Sequence, residues 1–326
     1  MYKLVGILVA GAVLAGCSEP IAAPQTPGSM QSASLPRPLA FTMPGQLWTA
    51  GRTINTYQTF GGTAIRSIAG SNTGIAGDVS IVVTAKRGSI VADGAPAHGS
   101  VSFFAPNATG NVAPTRQIDG TSTTFTKISA MTVDSAGNIY VGFSNAHNVV
   151  VFKPTAKGNV APVRTIVLDP SPSSTVMTTG LLVSGNKLYV STWSPDRVTV
   201  FAAGTSSANN KPLGYIQGNN TQIFWHPQGM AFDSQGYFYV ALRTFPGVAV
   251  YKPGASGDIK PSRILQGSEQ LAAPNSIAID SHDNLYVLDE ATQREIYVYP
   301  PGSNNTDPYL AKVAVSSLVQ AIAWHK

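Results

Sequence analysis

The chain reads as a succession of short apolar runs broken at regular intervals by polar turns. Ala130 to Asp134, Ile139 to Gly142, Val149 to Phe152 and Val163 to Val167 are each four or five residues long and rich in β-branched and aromatic side chains. Between them stand clusters such as Ser135-Ala136-Gly137-Asn138 and Gly158-Asn159-Val160-Ala161-Pro162. Runs of this length, bounded by glycine, proline, asparagine and aspartate, predict strands. Asp134 ahead of Gly137 fits a type I turn, in which the carboxylate caps its own backbone. Pro162 suits the start of an outermost strand, where a missing N–H costs nothing in the ladder.

The four-strand pattern recurs. Aromatic residues close a β-run at Tyr57, Phe104, Phe152, Phe201, Tyr251 and Tyr299, at spacings of 47, 48, 49, 50 and 48. Tyr140, Tyr189, Tyr239 and Tyr286 form a second column, and Pro114, Pro162, Pro212, Pro261 and Pro308 a third. A period of this size means an array or a propeller. Within each unit we label the strands a to d. Strand a carries large residues on one face (Trp324, Ile279, Phe232, Leu182, Val133, Thr84) and mostly smaller ones on the other. Apolar character on both faces predicts burial on both, as between neighbouring sheets in a ring.

Five complete units run over 79–118, 128–167, 178–216, 228–265 and 275–315. Residues 46–68 supply strands b, c and d, and 319–324 a lone strand a, so the two ends complete a sixth sheet and remove exposed edges. The expected fold is all-β: a six-bladed β-propeller over 46–326.

Composition fits this and narrows the function. Only 11% of residues are charged and the net charge is +5, while Gly 31 and Pro 23 feed the turns. Arg66, Arg116, Arg164 and Arg263 fall in strand d, spread around the circumference, where they bond neighbouring loops. Spread in this way they form no basic patch, which disfavours nucleic-acid binding. Cys17 is the only cysteine, so no intramolecular disulfide exists. Lys3 followed by the apolar run Leu4 to Ala15 has the length of a signal peptide, too short to span a membrane as a helix. Leu14-Ala15-Gly16-Cys17 resembles a bacterial lipobox, which implies cleavage after residue 16, acylation of Cys17 and attachment through lipid alone. Ser18 after the cysteine favours the outer membrane of a Gram-negative envelope, by the same resemblance. Residues 17–45, with prolines at 20, 24, 27, 36, 38 and 44, read as a semi-extended tether.

Pro227 to Ala241 and Pro274 to Asp289 resemble NHL-type repeats. The resemblance covers about 46–326, most closely in the last two units, and implies a propeller whose relatives include binding proteins, lyases and lactonases. The family's aspartate after Tyr-Val survives only at Asp289 and is Phe143, Thr192 and Leu242 elsewhere.

Aligning the units on the a–b turn places one residue per blade at the channel mouth: Ser80, Ser129, Thr178, Gln228, Asn275 and Gln320. All are polar and none is ionisable, which suits a neutral ligand or a solvated channel better than hydrolysis. The carboxylates that a calcium-dependent lactonase requires are missing from this ring. Loops of the same face should present Asp93, His98, Asn145, His147, Trp193, Asp196, Arg197, Trp225, His226, Arg243, Phe245, Asp289, Glu290 and Arg294. Three histidines raise zinc, but His226 belongs to a loop too far round the ring to converge with His98 and His147, so no metal or other cofactor is assigned. Trp193, Trp225, His226 and Asp289 join the ring as candidate ligand contacts, since aromatic and arginine side chains anchor binding surfaces. The reading is a lipid-anchored envelope module binding a protein, peptide or glycan, with no catalytic residue assigned. The alternative is a metal-dependent lactonase or lyase using Asp93, Asp289, Glu290 and the loop histidines.

Overall fold

A computed structural model describes residues 41–325 apart from 78, 85–87, 95–98, 170–175, 207, 209, 225, 245, 268–270 and 292–293. The stretch read as a signal peptide, Cys17 and the residues read as a tether up to 40 lie outside the described residues, as do His98, Trp225 and Phe245.

Six four-stranded antiparallel sheets form the propeller. Their innermost strands are β4 (Val79–Val83), β8 (Ile128–Val133), β12 (Met177–Ser184), β16 (Pro227–Phe232), β20 (Pro274–Ile279) and β24 (Ala321–His325). Each touches the next around a closed circuit, β24 meeting β4. We number the blades 1 to 6 in that order. Blade 6 is the composite one: β24 pairs with β1 (Thr42–Ala50), with Leu47 opposite Trp324 and Trp48 opposite Ala323. β1 starts at Thr42, which pairs with Thr59, rather than at 46. Residues read as the end of the tether therefore belong to the propeller.

The core lies in strands b and c. Tyr140, Val141, Val149, Val151, Val240, Tyr251, Tyr286 and Val298 are fully buried. The inner strands are less covered than their two apolar faces predict: Val133, Leu182, Phe232, Ile279 and Trp324 are only half-buried. A strand at the hub has neighbours on both sides but also borders the channel. In blades 1 and 3 the inner strand also sits one residue from the expected alignment. Val183, not Leu182, takes the place of Val133, and Val83, not Thr84, does so in blade 1. In blade 3 the cause is the turn, where Ser184 and Lys187 pair directly and no Asp-capped loop intervenes.

Two side-chain systems lock blades to their successors, the first from blades 6, 1 and 2 and the second from blades 6, 1 and 3. The outer-strand arginines reach the c–d loop of the following blade. Arg66 donates to Pro106 O, Arg116 to Pro154 O and to Ala156 O at 2.9 Å, and Arg164 to Ala203 O at 2.6 Å. Each guanidinium also lies over an aromatic ring, Trp48, Phe103 and Tyr140 respectively. A second lock joins the turns that follow strand d. The backbone amides of Asn72, Ser122 and Asn220 donate to Asn111, Asn159 and Asp258 of the next blade, at 2.7, 2.6 and 2.8 Å. The turns themselves are closed by Thr73, Thr123 and Thr221, whose hydroxyls donate to Gly70, Gly120 and Gly218. These glycines have φ of 119°, 104° and 128°, and a Cβ on any of them would collide with the capping side chain of the next blade.

Candidate functional site

Where β8, β12, β16 and β20 begin, the register of the a–b ladder slips, leaving one extra residue on the inner strand. Such bulges re-aim side chains. Here they fall at Ser129, Thr179, Gln228 and Asn275 and line a cavity of about 450 Å³ at one mouth of the channel. All six predicted ring residues, Ser80, Ser129, Thr178, Gln228, Asn275 and Gln320, border this cavity. Their surroundings differ. Thr178 occupies a paired position opposite Thr192 and is 1% exposed, and the bulged residue of blade 3 is Thr179. The one-residue offset of that blade accounts for the correction.

The hydroxyls on this ring are largely engaged between blades. Ser129 Oγ donates to Thr178 O at 2.6 Å, and Ser80 Oγ accepts from Met131 N at 3.2 Å. Thr179 Oγ1 donates to Pro227 O at 2.5 Å, and Ser276 Oγ accepts from Ile322 N at 3.1 Å. The amides Gln228, Asn275 and Gln320 come from blades 4, 5 and 6 and form a half-buried arc on the other side. The mouth thus has a hydroxyl half and an amide half.

Charged groups join the lining, so the cavity is not the purely neutral ring the alignment implies. Lys127 is exposed beside Ser129, and Arg243 and Glu290 border the amide half. Glu290 is buried and divided between two guanidinium groups: Oε2 accepts from Arg243 at 2.9 Å and Oε1 from Arg294 at 3.0 Å. With both carboxylate oxygens bound, Glu290 is an anchor for Arg243 and is poorly placed to accept a proton from a substrate.

Asp289 does not face the cavity. It is 3% exposed, and its carboxylate accepts the backbone amides of Ala272, Ala273 and Ala291 at 2.6, 2.8 and 3.0 Å. Asp93 is equally buried and accepts from Ala76 and Gly77. Asn145 Oδ1 binds Thr126 and Lys127 N in blade 2 in the same manner. These residues cap the loop entering their own blade, which removes Asp289 from the candidate ligand contacts and occupies both aspartates of the lactonase alternative.

Trp193 and His226 form a separate feature beyond the cavity lining. Their rings lie 4.3 Å apart, with Trp193 41% exposed and His226 at φ 55°. Asp196 lies beside His226. Burial raises its carboxyl above the ordinary aspartate range, the charge and backbone N–H of His226 opposing. His147 Nδ1 accepts from Val176 N at 3.5 Å, within its own loop system. Among the described residues no three His, Cys, Asp or Glu side chains are disposed to hold a metal ion. Lys127, Thr179 and Ser276 are among the lining residues that sequence reasoning did not single out. Lys127 precedes the strand, and Thr179 was hidden by the blade-3 offset.

No protein-family model matches the chain, and no curated protein matches it by sequence. Solved structures do. A protein of unknown function from Bacteroides caccae superposes with a TM-score of 0.60 at 11% identity, covering 86% of this chain and 98% of its own. A Bacteroides uniformis protein provisionally described as a 6-phosphogluconolactonase gives 0.60 at 11%, covering 83% of each chain. The WD40 β-propeller domain of Doa1 gives 0.55 at 10%, covering 86% of this chain and 83% of that one. At such identities the likeness establishes the β-propeller fold alone.

Proposed function

We propose that this chain is a lipid-anchored propeller of the cell envelope that binds, without turnover, a hydroxyl-rich glycan or a polar tip of a protein or peptide. The binding site is the channel mouth. The observation that carries the reading is the polar lining drawn from all six blades around one cavity of about 450 Å³, where Glu290, the only acid among the described lining residues, is held by two arginines. The anchor rests on Leu14-Ala15-Gly16-Cys17 and the proline-rich stretch after it, and two or more acyl chains would give stable attachment. The NHL-like segments Pro227 to Ala241 and Pro274 to Asp289 support the propeller scaffold, on which binding proteins and enzymes alike are built. Nucleic acid is not among the expected partners, because the outer-strand arginines are consumed in blade-to-blade bonds.

The second reading, a sugar-lactone hydrolase, draws on the provisional name of the Bacteroides neighbours. One experiment separates the two. Neutral oligosaccharides titrated into the full chain should bind, and Asn275→Ala should weaken that binding about tenfold, equivalent to ~1.4 kcal/mol, without lowering the melting temperature. Gluconolactone and its 6-phosphate should hydrolyse at the uncatalysed rate. Catalysed hydrolysis that Glu290→Gln abolishes would establish the lactonase instead.

A further inference from the structure

The outer-strand arginine is missing from blade 3. Pairing with strand c puts Arg66, Arg116, Arg164 and Arg263 in one column, and Gly214 occupies that place in blade 3. Blade 5 has Ala311 there, but Phe60, Tyr286 and Trp324 pack with it in one apolar cluster. In blade 3 no described residue takes the space. A pocket of about 260 Å³ opens between blades 3 and 4, lined by Gly214, Tyr189, Phe232, Phe238 and Ala255, with Lys187 and Lys252 at the rim.

The groups that would hold a guanidinium are still present. The receiving loop Lys252-Pro253-Gly254-Ala255 repeats Lys153-Pro154-Thr155-Ala156, whose Pro154 and Ala156 carbonyls bind Arg116. Tyr189 stands where Tyr140 and Tyr239 stand, and their hydroxyls accept from Arg164 at 3.2 Å and from Arg263 at 2.9 Å. Those two phenols also touch Asp134 and Asp233, whereas the corresponding residue in blade 3 is Ser184. Tyr189 thus lacks both of its counterparts' charged partners. Tyr189, Phe232 and Phe238 supply aromatic surface with centroids 4.8–5.3 Å apart. Leu213, beside Gly214 on the pocket lining, is 60% exposed and makes an apolar border. Lys252 does not argue against a cation, because Lys153 holds the same position beside the site that Arg116 fills. Lys187 is exposed, where salt screens it.

The geometry points to a socket for an arginine side chain presented by a partner protein, seated where four of the other blades place their own. A planar guanidinium satisfies carbonyl and phenol acceptors while stacking on rings, which a lysine ammonium does less well. Arginine framed by apolar contacts is a common anchor of protein interfaces.

The test uses the full chain, with N-acetyl-arginine amide and N-acetyl-lysine amide as probes in calorimetric titrations. The arginine amide should bind at least about tenfold more tightly than the lysine amide. Gly214→Arg fills the socket in cis: it should abolish that binding and raise the melting temperature, since its Cβ meets only Ser256 Oγ, at 3.0 Å. Gly214→Ala should keep the binding. Equal affinity for the two amides, or binding retained by Gly214→Arg, would overturn the proposal, as would a Gly214→Arg variant that melts below the wild type. Tighter binding of free arginine than of its amide would overturn the assignment to a protein-borne side chain.

Discussion

Blades 2 and 3 are neighbours with the same strand order and contrasting polar wiring. In blade 2 a continuous chain of bonds runs from the turn to the next blade. Asp134 Oδ1 accepts from Asn138 N at 2.8 Å, its Oδ2 lies 3.1 Å from the Tyr140 hydroxyl, and Arg164 links that hydroxyl to Ala203 O. Blade 3 keeps the tyrosine and loses both ends, with Ser184 for the aspartate and Gly214 for the arginine. The sheet forms regardless, because Leu188, Val190, Val198 and Phe201 are fully buried. Apolar burial therefore specifies the blade, and the polar relay specifies how blades are joined.

Removing the relay from blade 2 tests this distinction most severely. Arg164→Ala removes the guanidinium from the Tyr140 hydroxyl and leaves the Ala203 carbonyl with that hydroxyl as its donor; it should lower unfolding stability by about 2 kcal/mol in urea titrations. A loss no larger than a surface substitution, about 0.5 kcal/mol, would show the relay to be incidental.

Asp134→Asn should cost about 1 kcal/mol at neutral pH, through weaker acceptance from Asn138 and Tyr140. Burial of Asp134 works against its charge, but the bonds from Asn138, Tyr140 and Ala136 prevail and hold the carboxyl below its ordinary value. A depressed folded pKa gives stability that is complete above about pH 4 and is lost as the pH falls through the folded value. The wild-type advantage should therefore vanish in acid, as melting curves across pH would record.

The smallest effect has the opposite sign. Asp196, near the edge of blade 3, has its carboxyl raised by burial, so its contribution is full below the unfolded pKa and is lost as the pH rises through the folded one. Asp196→Asn should slightly raise the melting temperature at neutral pH and leave it unchanged in acid. A drop at neutral pH would mean that the Asp196–His226 contact is net stabilising.

Much of the architecture is legible in the sequence because the core residues recur at one period. Three columns spaced near 48 residues count the blades, and the leftover strands at either end imply the Leu47–Trp324 pairing. The channel-mouth ring is legible for the same reason, since alignment on a turn carries one position to all blades. It slips by one residue in blades 1 and 3, where Ser80 pairs with Ala92 and Thr178 with Thr192. Asp289 misleads because an acidic residue after a strand resembles an exposed loop group, and only the fold brings three backbone amides onto it. The blade-to-blade caps escape notice because Asn111, Asn159 and Asp258 act on turns 37–39 residues earlier. The empty arginine position is visible in sequence only once the arginines are known to act as plugs.

Sharing blade 6 between distant parts of the chain has a kinetic side. β24 pairs with β1 across almost the whole described length, and such non-local contacts form late. The entropy of closure grows only logarithmically with length, so time suffers more than stability. Until β24 arrives, β1 offers a bare edge that any extended strand can occupy. The best-matched intruder is the same strand from a second copy, so the clasp that seals one ring is also the element through which two rings could exchange arms.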